Sequence, residues 1–302
     1  MRGILSVGTR LSQSEEIVKN PHRGNELDFV PKISVLMTVF NAEPYLEESL
    51  TSLVNQDFTD WELIVIENGS SDRSGKILRS FSDTRIKATY LTENIGRTEA
   101  LNLALSKSNS KYVAILDADD VSMVNRFTKQ YRKLESDETV GLVGSWAQFI
   151  DSEGQNLFVK IGPQLHDEIV RLFATRNPFV HSSVMFRRSI AIAVGGYDIS
   201  YKYAQDFDLI LKIASHARVE IIPEILCAWR SIESSQTNSP GSSVVRARDE
   251  YHIFRRIRLF HNMNKAARLA NYKQIFVTRL IYSKTLARSG KWVEALRIAA
   301  LG

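Results

Sequence analysis

The sequence predicts an α/β fold, a mainly parallel sheet flanked by helices, followed by a helical appendage at the C-terminus. Three observations carry this. First, "KISVLMTVF" (32–40), "WELIVIE" (61–67) and "KYVAILD" (111–117) are continuous apolar, β-branched runs without a polar face. Such runs suit strands buried on both sides, as in parallel sheets. Second, the segments between them carry apolar residues at helical spacing, which gives the strand–helix alternation of right-handed crossovers. Third, from residue 244 onward the pattern is helical and basic.

Taken in order, residues 1–30 lack sustained periodicity and read as an N-terminal extension. Order begins at Pro31. Pro44 suits the first turn of a helix, in which Leu46, Leu50, Leu53 and Val54 share one face. "NGSSD" (68–72) reads as a turn whose serines cap the next helix, which presents Ile77, Leu78 and Phe81. "RIKATYL" (85–91) is a third strand, and Leu101, Ala104 and Leu105 mark the helix after it. The second half is mixed. A hairpin turns around Ser152–Gln155, "LHDEIVRLFATR" is a short helix, and "HSSVMFRR" reads as a strand. Gly195-Gly196 ends a helical turn. "DFDLILKIASHA" is a helix with a stripe at Phe207, Ile210, Leu211 and Ala214, and "VEIIPEILCAWR" contains strands interrupted by Pro223. The polar stretch 231–243 is a linker. The expected divisions are therefore 1–30, a folded unit at 31–235, and a basic helical region at 244–302.

The chain has 302 residues, 44% of them hydrophobic and 24% charged, as in ordinary soluble globular proteins. One cysteine, Cys227, excludes an intrachain disulfide, and no run of 18 apolar residues indicates a membrane span. A cytoplasmic location is expected. The net charge of +5 is uneven. Residues 241–302 hold 13 Lys and Arg against 3 Asp and Glu, a balance of +10, so the preceding 240 residues carry −5.

In open parallel sheets, ligands bind outside the carboxyl ends of the strands. Thr38–Asn41, Glu67–Ser70 and Asp117–Asp120 all fall at such ends. The last of these, "ILDADD" (115–120), places Asp117, Asp119 and Asp120 within four positions. Crowded carboxylates need a positive partner. A hard divalent cation, Mg²⁺ or Mn²⁺, prefers carboxylate oxygens and commonly shares them with a substrate's phosphates. Asp is also favoured at helix N-caps, and Asp120 is read as the cap of the following helix.

"ISVLMTVFNAEPYLEESLTSLVNQDFTDWELIVIENGSSDRS", "NIGRTEALNLAL", "YVAILDADD", "NPFVHSSVMFRR", "GGYD" and "AQDFDLILKIA" occur in order between about Pro31 and Arg230. Together they resemble the family 2 glycosyltransferases. The resemblance implies a GT-A fold, a nucleotide-diphospho-sugar donor (a UDP-sugar is favoured), a divalent cation, and inverting transfer to a glycan or lipid-linked acceptor in polysaccharide biosynthesis. It implies roles by position. Thr38, Asn41, Glu67, Asn68, Arg97 and Asp117 fall in the nucleotide-sugar site, Asp119 is the metal ligand, and Asp206 is the catalytic base. His181 lies beside the acceptor pocket. The chain departs from the family's pattern at several points. Glu67-Asn68 replaces a usual aspartate pair, Gln205-Asp206 a Glu-Asp pair, and only Arg126 survives of a Pro-x-Arg. After Trp229-Arg230, Ser231, Ile232 and Glu233 stand where many relatives have a histidine near the metal.

Two rivals accompany this reading. A nucleotidyltransferase would want a Gly/Lys/Arg-rich triphosphate loop near the first strand, and "TVFNAEP" is not one. A catalytically silent relative would serve as a binding or scaffold subunit. In the tail, Ile253, Ile257 and Phe260 share a helical face, and Leu269, Tyr272, Phe276 and Leu280 continue the spacing. This pattern suits helices docked on the catalytic unit, or an amphipathic surface in peripheral contact with anionic lipid at the inner membrane face. No aromatic–basic module indicates nucleic acid.

Overall fold

The computed structural model describes residues 30–232, 242–257 and 264–301. The expected N-terminal extension and most of the linker lie outside these residues. The first half alternates as the sequence requires: β1 (Ile33–Val39), α1 (Leu46–Val54), β2 (Trp61–Asn68), α2 (Ser74–Ser80), β3 (Ile86–Leu91), α3 (Arg97–Lys107) and β4 (Tyr112–Ile115). β5 (Val121–Ser122), α4 (Arg126–Ser136), β6 (Val140–Ile150), β7 (Asn156–Lys160), α5 (His166–Phe173), β8 (Met185–Arg187), α6 (Arg188–Ala193), α7 (Gln205–Ala214) and β9 (Arg218–Arg230) complete the sheet region. Helices α8 (Ser242–Ile257), α9 (Lys265–Arg288) and α10 (Trp292–Ala300) follow.

The sheet runs β3-β2-β1-β4-β8-β6-β9-β5, with β7 on β6. The four strands β3, β2, β1 and β4 are parallel. β8 is antiparallel to both β4 and β6, and β6 is parallel to β9. Every residue of β2 is buried, as its unbroken apolar pattern demands, whereas the edge strand β3 is only partly covered. Alternate residues of β1 feed two cores. Ile33, Val35, Met37 and Val39 pack under α1 with Leu46, Leu50 and Leu53, while Leu36 joins Leu101, Phe186 and Ile210 on the other face.

Five local expectations need correction. Pro44 stands in the turn before α1 rather than in its first turn, since the helix begins at Leu46. α2 is entered through Asp72 rather than a serine: Asp72 Oδ1 accepts from the Ser74 amide at 2.9 Å and Oδ2 from the Glu43 amide at 3.0 Å. His181–Ser183 is a 3₁₀ turn, so only Met185–Arg187 of "HSSVMFRR" is strand. β9 runs unbroken through Pro223. Its register with β6 jumps from Ser145↔Ile222 to Trp146↔Ile225, a bulge that lifts a residue with no N–H out of the ladder. Asp120 caps no helix, since α4 begins at Arg126, and its actual partners are described below.

The tail divides. On α8, Ile253 and Ile257 are buried in the same core as α7, with Phe254 edge-on to Phe207. Phe260 lies outside the described residues. On α9, Leu269, Tyr272, Phe276 and Leu280 are about half exposed. Docking therefore describes α8, not the outer face of α9. No helix among the described residues is long and apolar enough to cross a membrane.

Candidate active site

The carboxyl ends of β1, β2 and β3 are tied into one rim. Asn41 leaves β1 at φ 50°, a left-handed conformation that asparagine tolerates better than most residues. Its Oδ1 accepts from the Ser71 amide at 2.9 Å, and its own amide donates to Ser70 Oγ at 3.1 Å. The buried Glu67 accepts from the Ser70 amide at 2.8 Å. Gly69 sits at φ +71°, where a Cβ would fall 2.6 Å from the Glu93 carbonyl carbon, so only glycine lets the two loops close. Asn68 spends its amide on the next loop: Nδ2 donates to Asn94 Oδ1 at 3.1 Å and Oδ1 accepts from the Ile95 amide at 3.0 Å. Thr38 lies half-buried at the end of β1 among these loops.

This loop delivers Arg97, the first residue of α3, to the next cluster. Arg97 Nη2 donates to both oxygens of Asp117, at 2.6 and 2.7 Å, and lies 3.1 Å from His181 Nδ1. Because a guanidinium can only donate, Nδ1 accepts, which assigns the ring proton to Nε2, 3.1 Å from the Tyr197 hydroxyl. Burial by itself would push the Asp117 carboxyl up; the Arg97 guanidinium, bonded to both of its oxygens, outweighs it and holds it below the usual carboxylate range. Asp119 behaves oppositely. Its carboxyl is pushed up to about 6 by burial and by the neighbouring charge of Asp117, against Arg97. Asp120 is fully enclosed. It accepts from Ser182 Oγ and, at 2.8 Å, from the Arg230 amide, and burial followed by the charges of Asp119 and Asp117 raises it well above the usual range. The buried Arg230 locks the loop from outside, donating from Nε to the Asp119 carbonyl at 2.9 Å, pairing with Glu48 and lying over the Tyr45 ring.

Across from Asp117, α7 begins at Gln205 and presents Asp206 in its first turn. Asp206 Oδ2 accepts from Asn177 Nδ2 at 3.2 Å, and no Lys or Arg among the described residues reaches it at ion-pair distance. Asp206, Asp117, Arg97 and His181 open into one cavity of about 310 Å³. Its far wall holds Phe149, Trp229, Lys160 and Lys202. Phe149 packs against Trp229 with ring centroids 4.6 Å apart, an aromatic surface of the kind that suits a sugar ring. The buried Gln205 Oε1 has no hydrogen-bond partner among the described residues. Asp208 turns away from the cavity into the core, where it meets Lys212 at 2.7 Å and Arg256 from α8. A second buried acid, Asp249 on α8, accepts from the amides of Lys202 and Tyr203 at 2.8 and 3.0 Å, fixing the loop that leads into Asp206.

Residues 34–195 match the model of the glycosyl transferase family 2, more than half of the chain. The chain belongs to this family. An uncharacterized glycosyltransferase of Methanocaldococcus jannaschii is 33% identical over 66% of this chain and 71% of its own length. The O-antigen biosynthesis glycosyltransferase WbnJ of Escherichia coli is 29% identical over 70% of this chain and 85% of its own. Among solved structures, S. aureus TarS 1–349 in complex with UDP-GlcNAc superposes with a TM-score of 0.70 at 18% identity, covering 88% of this chain and 79% of TarS 1–349. The mannosyltransferase PcManGT from Pyrobaculum calidifontis, in complex with GDP-Man and Mn²⁺, gives 0.61 at 20% identity, over 91% and 77%. These two likenesses establish the GT-A fold. Family membership sets the nucleotidyltransferase alternative aside.

In this glycosyltransferase, the acids after β4 fit a divalent cation in one specific sense. No cluster of three His, Cys, Asp or Glu among the described residues forms a ready-made cage. Asp119, however, is a hard oxygen donor crowded by another carboxylate, and Asp117 adjoins it with its own charge balanced by Arg97. Such a pair suits an ion whose remaining ligands come from a diphosphate. Of the residues singled out in the sequence, the structure gathers Arg97, Asp117, His181 and Asp206 around one cavity. Thr38, Asn41, Glu67 and Asn68 form the adjoining rim. Tyr197, Asn177 and Phe149 were not among them, and Gln205 and Trp229 were named only as motif positions. All lie in the second half, on separate elements: Phe149 on β6, Gln205 on α7, Trp229 on β9, and Asn177 and Tyr197 on loops.

Proposed function

We propose that the enzyme is an inverting glycosyltransferase that moves a sugar from a nucleotide-diphospho-sugar, with UDP-sugars favoured, to an acceptor hydroxyl in polysaccharide or glycoconjugate synthesis. Residues 31–235 form the catalytic unit in this reading and 244–302 the appendage. The observation that carries it is that Asp206 and Asp117 open into the same cavity while, among the described residues, only Asp117 has a Lys or Arg at ion-pair distance. A carboxylate left unpaired at a helix start can accept a proton; one clamped by arginine cannot do so near neutral pH.

The nucleotide lies along the rim of Thr38, Asn41, Glu67 and Asn68, with its diphosphate toward Asp117 and Asp119. Asn68 acts by holding the 94–97 loop rather than by offering a free amide to the base. A Mn²⁺ or Mg²⁺ ion held by Asp119, with Asp117 in support, would supply positive charge to the departing diphosphate. Asp206 removes the proton of the acceptor hydroxyl as that oxygen bonds to the anomeric carbon. The bond from that carbon to the diphosphate breaks on the opposite face, so configuration inverts. The unpartnered Gln205 Oε1 accepts from a sugar hydroxyl, and the Phe149–Trp229 surface carries a sugar face. The names of WbnJ and of the amylovoran biosynthesis glycosyltransferase AmsE of Erwinia amylovora support a polysaccharide product. TarS with UDP-GlcNAc and PcManGT with GDP-Man and Mn²⁺ support the donor class and the cation.

The test is nucleoside-diphosphate release and binding across UDP-, GDP- and dTDP-sugars with Mn²⁺, Mg²⁺ or EDTA. One donor bound and turned over only with metal is the expected result. Metal-dependent binding with no turnover against any acceptor fraction would favour a silent binding subunit, and no metal-dependent binding would overturn the assignment.

A further inference from the structure

The outer face of the C-terminal helical hairpin is not used by any contact described above. α10 folds back on α9, with Ser283 Oγ donating to the Ala295 carbonyl at 2.9 Å and Ala295 buried between the helices. Away from that seam, Leu269, Phe276 and Leu280 on α9 are 57, 52 and 47% exposed. Trp292, Val293 and Leu296 on α10 are 65, 66 and 70% exposed. Six large apolar side chains left in water on one helical hairpin are more than scattered surface residues account for.

The charges on the same face say what covers it. Positions 269, 273, 276, 280 and 284 follow one stripe of an α-helix. Lys273 and Lys284, both exposed, therefore interleave with the apolar row, and Arg288 follows one turn later. Across residues 264–301, eight Lys and Arg accompany a single acid, Glu294. A second copy laid face to face would bring these cations against their like. Residues 1–29 hold four basic and four acidic residues and offer no balancing charge. The headgroup layer of an anionic bilayer offers both requirements at once, phosphates for the ammonium and guanidinium groups and hydrocarbon just beneath for Leu, Phe and Trp.

We infer that the α9–α10 hairpin is a peripheral membrane-docking surface for anionic lipid. This goes beyond the sugar-transfer reading and does not depend on it. α8, anchored in the core through Ile253, Phe254 and Ile257, joins the surface to the body of the enzyme.

The experiment is co-sedimentation of the full chain, without donor or acceptor, on vesicles of phosphatidylcholine alone and of phosphatidylcholine with phosphatidylglycerol. The anionic vesicles should bind at least about tenfold more tightly, with binding that weakens as salt rises. Phe276→Ser combined with Trp292→Ser should abolish binding while leaving the thermal melt and donor binding unchanged, because both side chains lie on the surface. Lys273→Glu with Lys284→Glu should remove the preference for anionic vesicles. Equal partition onto both vesicle types would overturn the inference, as would apolar variants that bind like the parent. So would a lipid-free oligomer that the same apolar variants convert to monomer, since the occupant would then be a second copy. None of these outcomes touches nucleotide-sugar binding, which is measured separately on the same samples.

Discussion

The loop after β4 and the first turn of α7 carry the same kind of acidic cluster and divide it the same way. In the first, Asp120 is enclosed by Ser182 and the Arg230 amide, while Asp117 lines the cavity and Asp119 beside it is only partly covered. In the second, Asp208 is enclosed by Lys212 and Arg256, while Asp206 faces the site. In each cluster the enclosed acid anchors the segment, and the proposed mechanism uses its neighbours. The two exposed members differ in turn. Asp117 is held charged by Arg97 at bonding distance, whereas Asp206 accepts from the neutral amide of Asn177 and, among the described residues, feels Arg97 and Lys160 only from beyond ion-pair distance. In the proposed mechanism the acid with a permanent cation belongs to the donor site, and the acid without one is the group assigned to the acceptor hydroxyl.

That division can be broken at four places, in decreasing order of effect. Asp206→Asn should lower turnover by roughly 10²–10⁴-fold, the usual contribution of a positioned general base, as measured by nucleoside-diphosphate release with acceptor present. Asp208→Ala should act on stability instead. It leaves Lys212 and Arg256 without their buried counter-charge and should cost about 3 kcal/mol in urea denaturation, with donor affinity kept in the folded fraction. Asp249→Asn sharpens the link between α8 and the base. Both backbone amides donate to one oxygen, Oδ2, and Arg248 to the other, so an asparagine satisfies only one side and without charge; stability should fall by about 1–2 kcal/mol, and kcat should drop while donor Kd stays constant. Asp120→Asn should be mildest, within about 1 kcal/mol in the same denaturation. Burial and its acidic neighbours already favour the neutral carboxyl, and an amide can keep the oxygen for the Arg230 amide and turn its nitrogen to Ser182. A large loss there would mean that Asp120 works as a charge.

How much of this was legible in the sequence follows from the range of the interactions. The parallel half was readable because strands buried on both faces write unbroken apolar runs, and strand ends then fix the rim of Thr38, Asn41, Glu67, Asn68 and Asp117. The roles of Asp120 and Asp208 were not. An aspartate that caps a helix and one that closes a buried network look alike in sequence, and the partners Ser182, Arg230 and Arg256 lie 62, 110 and 48 residues away. The strand expected across His181 starts only at Met185, because the polar His181, Ser182 and Ser183 form a 3₁₀ turn whose side chains meet Arg97, Asp120 and the Val180 carbonyl. Pro223 was read as a break because the compensating bulge depends on β6, some eighty residues earlier. The tail's helical period showed which residues align but not which face would be covered. α8 buries Ile253 and Ile257, while α9 leaves Leu269, Phe276 and Leu280 outside.

The most direct test of the account places two variants side by side, Asp119→Ala and Asp206→Asn, and titrates each with the preferred nucleotide-sugar in Mn²⁺ and in EDTA. Asp206→Asn should bind the donor as the parent does, with the same dependence on metal, yet release no nucleoside diphosphate. Asp119→Ala should lose the metal-dependent part of binding, on the order of 10²-fold. If Asp206→Asn also lost donor binding, or if it turned over normally, the division between a donor-holding acid cluster and a proton-accepting one would be wrong.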